Sequence, residues 1–287
     1  MAEILKGAPV AAAMSMDLIG RVNHLKDAGI TPTLAIIRVG ERPDDIAYER
    51  GAIKSCEKIG VNVKRFLLSP EHGKEELLDV IRQINQDAKI HGCLLFRPLP
   101  RREDEIAACE LLSPEKDVDC ATSVSLSSVF TGKGMGFPPC TAQACLEILD
   151  HYGCELKGKR VVVIGRSLVI GKPVSMMLQA RNATVTMCHT KTVNMPEVCR
   201  EAEIVVAAAG KAGVVDEHYT NPNQIIVDVG INTDAEGKLC GDVQFDRVEP
   251  VVDAITPVPG GVGAVTSTVL AKHVVEAAEA HLETAVC

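Results

Sequence analysis

The chain has 287 residues, of which 46% are hydrophobic and 24% are charged, and its formal net charge is -8. This length suggests two domains, and the composition is typical of a globular chain rather than a disordered or fibrous one. The negative charge argues against a general affinity for nucleic acid, which needs a basic surface to neutralise phosphates. Any anionic ligand must therefore be held by a local cluster of donors.

The chain contains eleven cysteines. We interpret them as reduced thiols, because the count is odd and the chain is long enough to bury a core without disulfides. No pair has the C-x-x-C spacing and no histidine stands at zinc-ligand spacing, so we predict no metal site. Residues 1–16 lack a basic leading region and an apolar run long enough for a signal peptide or membrane span. We expect a cytoplasmic protein that binds neither nucleic acid nor membrane.

Apolar runs alternate with helical patterns along almost the whole chain, which is typical of an α/β fold with mostly parallel strands. After an opening helix, the first half of the chain predicts three strand-helix pairs, with Asp44 or Asp45 as the N-cap of the second helix. In chain order these elements are helix 10–28, strand 34–38, helix 44–59, strand 61–68, helix 74–86, strand 92–96 and helix 103–112.

The segment 113–141 differs from its surroundings, because it is rich in serine and glycine and contains Pro138-Pro139. We interpret it as the domain boundary and the cleft region. Beyond it the patterns return, with short β-branched runs that are typical of buried parallel strands. The predicted elements are helix 142–152, strands 160–165, 184–187, 204–208 and 225–228, and a final helix 267–282.

A glycine-containing turn follows the strand 160–165. It reads Gly165-Arg-Ser-Leu-Val-Ile-Gly171-Lys-Pro173 and opens a helix, so its backbone amides and the helix N-terminus can face a pyrophosphate. The spacing differs from the standard G-x-G-x-x-G. A tight strand-to-helix turn that binds nothing is the alternative.

The end of the next strand indicates which nucleotide would bind. NAD sites usually have an acid there that holds the ribose hydroxyls, but this strand ends in Cys188-His-Thr-Lys-Thr192, without a carboxylate. Together with Arg166, the side chains of His189, Thr190 and Lys191 offer a cationic, hydroxyl-bearing cradle for a 2′-phosphate. We therefore predict NADP rather than NAD, the alternative being a solvated loop with incidental charge.

Motifs in both halves of the chain share their order and spacing with one known family. They are Val39-Gly40, Tyr48, Pro98-Leu-Pro100, Pro114-Glu-Lys-Asp-Val-Asp119, Pro138-Pro-Cys-Thr141, Val163-Ile-Gly-Arg-Ser167, Gly171-Lys-Pro173, Val227-Asp-Val-Gly-Ile-Asn232, Gly241-Asp-Val243 and Ile255-Thr-Pro-Val-Pro-Gly-Gly-Val-Gly263. The chain thereby resembles the methylenetetrahydrofolate dehydrogenase/cyclohydrolase family over nearly its whole length.

This resemblance implies a fold and an activity. The fold would have a folate-binding catalytic domain, 1–140 joined by the final helix 267–287, and a Rossmann-like NADP domain, 141–266, flanking a cleft. Family members oxidise 5,10-methylenetetrahydrofolate to the 5,10-methenyl form with NADP, and most then hydrolyse that product. The expected substrates are tetrahydrofolate derivatives, with or without a polyglutamate tail, and the expected assembly is a homodimer.

The resemblance also implies site residues. Tyr48, which would pack against the folate, and Asp119, which would bind the pterin, are the candidate catalytic residues. The remaining candidates for folate binding are Phe96, Arg97, Pro98, Pro257, Gly260 and Gly261. With the reasoning above, the candidates for cofactor binding are Gly165, Arg166, Ser167, Gly171, His189, Thr190, Lys191 and Ile231.

The chain departs from the family pattern in its first half. Ala52 stands where the family has a lysine one helical turn after the tyrosine, and Phe96 stands where it has a glutamine. After the pterin-binding acid, Cys120-Ala-Thr-Ser123 replaces the usual Gly-Phe-His-Pro. Hydrolysis of a methenyl cation needs a positioned water and proton transfers, whereas hydride transfer does not strictly need a protein base. We therefore predict that dehydrogenase activity survives and that cyclohydrolase activity is weak or absent, with a separate cyclohydrolase as partner.

Two other functions stay open on the sequence alone. One is a non-catalytic NADP-binding protein whose folate site has eroded, and the other is an NADP-dependent oxidoreductase with a non-folate substrate. Both follow from the same departures at Ala52 and Phe96.

Overall fold

The computed structural model describes residues 1–71, 73–234 and 236–286. The chain divides into two compact units, each built from separate chain segments. We call Ala12–Cys140 with Ser267–Cys287 the N-terminal unit, and Thr141–Thr266 with Met1–Ala11 the C-terminal unit. Within the described ranges, no helix combines the length and the apolar character needed to cross a membrane.

Strands and helices are numbered in chain order. They are β1 Glu3–Ile4, α1 Gly7–Asp27, β2 Thr33–Val39, α2 Pro43–Ile59, β3 Asn62–Leu68, α3 Lys74–Gln86, β4 Gly92–Leu95, α4 Arg102–Leu111, α5 Ser123–Thr131, α6 Cys140–His151, β5 Arg160–Ile164, α7 Gly171–Ala180, β6 Thr184–Cys188, α8 Met195–Arg200, β7 Ile204–Ala207, β8 Ile225–Asp228, β9 Asn232–Thr233, β10 Leu239–Cys240, α9 Phe245–Val248, β11 Ala254–Ile255 and α10 Gly263–Val286.

The N-terminal unit contains a parallel sheet in the order β3-β2-β4. Central strand β2 is apolar at nearly every position because neighbours cover both of its faces. At Gly92, the start of β4, an added Cβ would lie 2.6 Å from Val118 and 2.9 Å from Val274 of α10. The final helix therefore packs closely on this strand.

The C-terminal unit contains a six-stranded parallel sheet in the order β1-β11-β8-β7-β5-β6. The chain passes from β5 outwards to β6 and then returns to the opposite side of β5 to form β7. Such a reversal of strand order is a topological switch point, and ligands of doubly wound sheets bind at the carboxyl ends of the strands there. The switch point lies between the ends of β5 and β7.

The predicted α/β fold with parallel strands is confirmed, and helix 74–86 and strand 225–228 have the predicted bounds. The opening strand β1 was not predicted. It pairs in parallel with β11, with Glu3 opposite Ala254, and this pairing places residues 1–11 in the C-terminal unit rather than with the rest of the N-terminal half.

One local prediction was wrong, and one helix was not predicted. The N-cap of α2 is Arg42 rather than Asp44 or Asp45, and Asp45 instead accepts two hydrogen bonds of 2.8 Å from the Arg42 guanidinium. The segment 113–141, for which no helix was predicted, contains helix α5. This helix begins after Thr122, whose side chain accepts a hydrogen bond from the Ser125 amide. Its serines concealed the helix because serine favours turns and caps over helix interiors.

Candidate functional site

Helix α2 carries Tyr48 on a face that continues one turn later at Ala52. Tyr48 is half-buried, and its ring meets the buried ring of Phe96 edge-on, with centroids 5.9 Å apart. Ala52 is fully buried, whereas Lys54 is exposed, so Lys54 does not replace the cation missing at position 52. Arg50 is also exposed and donates to the carbonyl of Ile46 within its own helix.

Asp119 lies in a tight loop between α4 and α5. The buried carboxylate of Asp117 stabilises the loop, because it accepts hydrogen bonds from the amides of Ala121 and Thr122 at 2.8 and 2.7 Å. Cys120 adopts a left-handed backbone conformation, with φ of 56°. The Cys140 amide donates to Oδ1 of Asp119 at 2.8 Å. These contacts fix the loop and orient the carboxylate.

The structure brings Tyr48, Arg97 and Asp119 into one electrostatic neighbourhood. Burial raises the pKa of Asp119, and the nearby Arg97 guanidinium counteracts this shift. Burial, followed by the nearby Asp119 carboxylate, raises the pKa of Tyr48 well above its ordinary value. Asp119 therefore lies within electrostatic reach of both the Tyr48 phenol and the Arg97 guanidinium. Pro98, joined to Arg97 by a cis peptide bond, is exposed.

A buried ion-pair network next to Tyr48 was not predicted from the sequence. Glu49 is 3% exposed. Its Oε2 accepts a hydrogen bond from Nε of Arg38 at 2.6 Å, and its Oε1 accepts one from Nε of Arg65 at 2.5 Å. In the sequence, the charged Arg38 within the mostly apolar strand β2 was the one indication that a buried ion pair forms here. The network ties α2 to strands β2 and β3 and so holds Tyr48 in place.

The glycine turn of the C-terminal unit lies at the switch point of the large sheet. A Cβ at Gly165 would overlap the carbonyl of Ala208, directly after β7, and a Cβ at Gly171 would overlap the carbonyl of Gly165. Oγ of Ser167 accepts hydrogen bonds from the amides of Ile170 and Gly171. The glycines thus allow a closed turn that leads into the N-terminus of α7.

Candidate phosphate ligands follow β6, the strand beside β5. Lys191 and Thr190 are exposed, His189 is half-buried, and Arg166 on the neighbouring turn is exposed. The Thr192 hydroxyl oxygen accepts a hydrogen bond from the His189 amide at 2.8 Å and so shapes the loop. No acid stands between Cys188 and Thr192.

Two buried aspartates fasten the loops near the switch point, and their role was not predicted. Asp242 accepts hydrogen bonds of 2.6 to 2.9 Å from the amides of Ala209, Gly210 and Lys211 and from the Asn232 side chain. Asp228 accepts hydrogen bonds from the amides of Gly230, Asp242 and Val243. Burial raises the pKa of Asp228 to about 6.

Removal of the Asp242 carboxylate should destabilise the protein strongly. Asp242→Ala leaves three backbone amides and one side-chain amide without their acceptor, and each hydrogen bond to a charged group contributes about 1.5–3 kcal/mol. We expect the free energy of unfolding in urea to fall by at least about 3 kcal/mol. The exposed Asp246→Ala should change it little, and equal effects of the two substitutions would contradict this role.

The loop after β11 stays within the C-terminal unit. The Gly260 carbonyl accepts a hydrogen bond from the Gly7 amide at 2.8 Å, and Val258 and Pro259 are joined by a cis peptide bond. Ile231 is 68% exposed, and its Cδ1 lies 3.8 Å from where a Cβ of Gly263 would stand. The predicted folate ligands thus divide between the units, because Pro257, Gly260 and Gly261 belong to the C-terminal one.

Comparison with known proteins identifies the family. Residues 5–119 match the tetrahydrofolate dehydrogenase/cyclohydrolase catalytic domain, and residues 139–282 match the NAD(P)-binding domain of the same proteins. The chain belongs to the tetrahydrofolate dehydrogenase/cyclohydrolase family. It is 52% identical over 281 residues to the bifunctional protein FolD of Carboxydothermus hydrogenoformans, an overlap of 97% of this chain and 98% of that protein.

Solved structures of this family share the fold. The bifunctional FolD enzyme of Campylobacter jejuni has a TM-score of 0.93 at 34% identity, covering 98% of this chain and 99% of that one. The Trypanosoma brucei enzyme, solved with NADP cofactor and an inhibitor, has a TM-score of 0.91 at 33% identity, covering 98% of each chain. The chain is therefore an enzyme, and the non-catalytic alternative is set aside.

Proposed function

We propose that this enzyme oxidises 5,10-methylenetetrahydrofolate to 5,10-methenyltetrahydrofolate with NADP, and that it hydrolyses the methenyl product weakly or not at all. The observation that carries the proposal is the grouping of Tyr48, Arg97 and Asp119 beside two positions, Ala52 and Phe96, that lack the family's polar side chains. Binding groups are thus retained where proton-transfer groups are missing.

The nucleotide turn fits NADP. Side chains at Gly165 and Gly171 would collide with backbone carbonyls, so the two glycines allow the tight turn at the end of β5. The N-terminal end of α7, the positive end of the helix dipole, would face the pyrophosphate, and Arg166, His189, Thr190 and Lys191 would hold the 2′-phosphate. Ser167 and the exposed Ile231 complete the proposed cofactor contacts. When bound, NADP supplies the hydride acceptor.

Loss of the Arg166 cation should weaken binding of NADP but not of NAD. A guanidinium-phosphate hydrogen bond contributes enough that Arg166→Ala should raise the KM for NADP about tenfold. The KM for NAD, which lacks the 2′-phosphate, should change less than about twofold. Arg181→Ala is the matched control, because Arg181 is an exposed arginine of the same unit paired with Asp150. An equal rise for both nucleotides would contradict this assignment.

On the folate side, the side chains bind and orient rather than transfer protons. The Asp119 carboxylate would accept hydrogen bonds from the pterin, and the Tyr48 ring, fixed by Phe96, would pack against it. Arg97 would face anionic groups of the substrate, Pro98 would line the site, and Pro257, Gly260 and Gly261 would be further folate contacts. The folate nitrogens themselves stabilise the cation left by hydride loss, so oxidation needs positioning above all.

Hydrolysis requires more than positioning. It needs an activated water and proton transfers, and a positioned acid or base contributes about 10² to 10⁴ in rate. Arg97 and Arg50 are poor substitutes, because an arginine side chain is not deprotonated in proteins. A separate cyclohydrolase would then consume the methenyl product. Because the relative in Carboxydothermus hydrogenoformans is named bifunctional, this part of the proposal needs its own assay.

One experiment tests both parts of the proposal. NADPH formation is followed with methylenetetrahydrofolate as substrate, and decay of the methenyl product is then followed without nucleotide. We expect rapid NADPH formation and methenyl decay close to the uncatalysed rate. Failure to form NADPH would refute the proposal and favour a non-folate substrate, whereas rapid methenyl decay would refute only the second part.

The raised pKa of Asp119 predicts a pH dependence of folate binding. The ionised carboxylate is the form that accepts hydrogen bonds, and it is lost as the pH falls through a pKa that burial has raised above the ordinary value near 3.9. As the pH is lowered, tetrahydrofolate affinity, measured by titration calorimetry, should therefore begin to decline at a higher pH than it would with an aspartate of ordinary pKa. Asp119→Asn should abolish this decline, and an unchanged profile would contradict the assignment.

Two further properties belong to the proposal. The enzyme would act as a homodimer, which sedimentation at micromolar concentration tests directly. It would also accept polyglutamylated folates, and a lower KM for pentaglutamyl than for monoglutamyl substrate would support this.

A further inference from the structure

Helix α10 carries a buried histidine close to the Asp119 loop. His273 is 2% exposed, and its Nδ1 lies 2.9 Å from the carbonyl oxygen of Val118. Because a carbonyl oxygen only accepts, Nδ1 carries the proton and donates it. The same oxygen accepts a second hydrogen bond from Sγ of Cys140 at 3.3 Å. Two donors thus converge on one backbone carbonyl.

That carbonyl belongs to the peptide group that joins Val118 to Asp119. Fixing the oxygen fixes the plane of the peptide, and with it the direction in which the Asp119 side chain leaves the backbone. Cys140 contributes twice, because its amide also donates to Oδ1 of Asp119. The Asp117 carboxylate closes the other side of the loop.

The histidine ring is itself held in one orientation. Phe137 stacks on it, with ring centroids 4.9 Å apart and an interplanar angle of 25°. Sγ of Cys140 lies 3.7 Å from Nδ1. A ring confined in this way presents its N–H in a fixed direction, which is what a residue that orients another group requires.

We propose that His273 is a positioning residue for folate binding: its Nδ1–H holds the Val118 carbonyl so that the Asp119 carboxylate faces the pterin. The inference rests on the proposed function, which gives Asp119 its role. It makes the last helix of the chain part of the folate site, although its histidine does not touch the substrate.

The test compares two substitutions of His273. His273→Leu removes the donor and keeps an apolar side chain. We expect the Kd for tetrahydrofolate, measured by titration calorimetry, and the KM for methylenetetrahydrofolate to rise about three- to tenfold, as for the loss of one hydrogen bond. The kcat and the KM for NADP should stay within about twofold. His273→Asn retains a side-chain N–H donor and should restore both folate constants.

A matched control uses the other histidine of the same helix. His281 meets His91 edge-on, with centroids 5.7 Å apart. His281→Leu should leave the Kd for tetrahydrofolate unchanged. The proposal is overturned if His273→Leu binds tetrahydrofolate as tightly as the unsubstituted enzyme, or if folded His273→Asn binds as weakly as His273→Leu, since shape rather than the donor would then matter.

Failure of the proposed function gives a different result. An unsubstituted enzyme that binds tetrahydrofolate but forms no NADPH would refute the proposed activity, and the Kd comparison would still decide the role of His273. An unsubstituted enzyme that binds no tetrahydrofolate would refute both.

Discussion

Asp119→Asn should lower the kcat/KM for methylenetetrahydrofolate by about 100-fold or more. The aspartate can accept two hydrogen bonds from adjacent pterin N–H groups, whereas the amide can accept with its oxygen alone and opposes a donor with its own NH₂. Each hydrogen bond to a charged group contributes about 1.5–3 kcal/mol, and 1.4 kcal/mol is a factor of ten. Steady-state kinetics at saturating NADP measures the effect.

The Asp119→Asn substitution has a clean control. The Cys140 amide can still donate to the Asn oxygen, so the loop should keep its shape and the KM for NADP should change less than about twofold. Asp79→Asn, at an exposed acid of α3, should leave both constants unchanged. A folded Asp119→Asn enzyme with normal kcat/KM would remove Asp119 from the folate site.

Restoring the two missing polar residues should create or strengthen cyclohydrolase activity. In the double variant Ala52→Lys/Phe96→Gln, a lysine returns one helical turn after Tyr48 and an amide replaces the Phe96 ring beside it. Because a positioned acid or base contributes about 10² to 10⁴ in rate, we expect at least about a 100-fold gain in methenyl hydrolysis. Decay of methenyl absorbance measures it.

The double variant needs a control for added charge. Ala47→Lys/Phe96→Gln places the same cation on the exposed side of α2 and should gain little. Since Ala52 is fully buried, circular dichroism and retained dehydrogenase activity must show that the lysine is accommodated. A folded, dehydrogenase-active double variant without faster hydrolysis would show that the departures at 52 and 96 do not limit this reaction.

Local sequence patterns predicted the regular elements well. Helix α3 has a strong apolar stripe formed by Leu77, Ile81 and Ile84, and its predicted bounds are those observed. Strand β2 is a short apolar run of the kind that buried parallel strands require. Helix α5 was missed because its start depends on a cap by Thr122 and on the Asp117 carboxylate, which single-residue preferences do not reveal.

The candidate site was predictable only in part. The glycine turn and the acid-free end of β6 are contiguous in the chain, so their spacing could be read directly. The groups that hold the site in shape are separated widely in the chain: Val118 and His273 by 155 residues, and Ala209 and Asp242 by 33. Nothing in a local window pairs such residues, because the tertiary fold alone brings them together.

Close packing of Val274 against the start of β4 has a consequence for biosynthesis. The N-terminal unit is completed only by Ser267–Cys287, which leaves the ribosome after the whole of Thr141–Thr266. A nascent chain that has already released all of residues 12–140 still lacks the helix that covers Gly92 and carries His273. Stop codons or proteolytic cuts ahead of residue 267 would therefore damage the N-terminal unit, although most of that unit is synthesised long before.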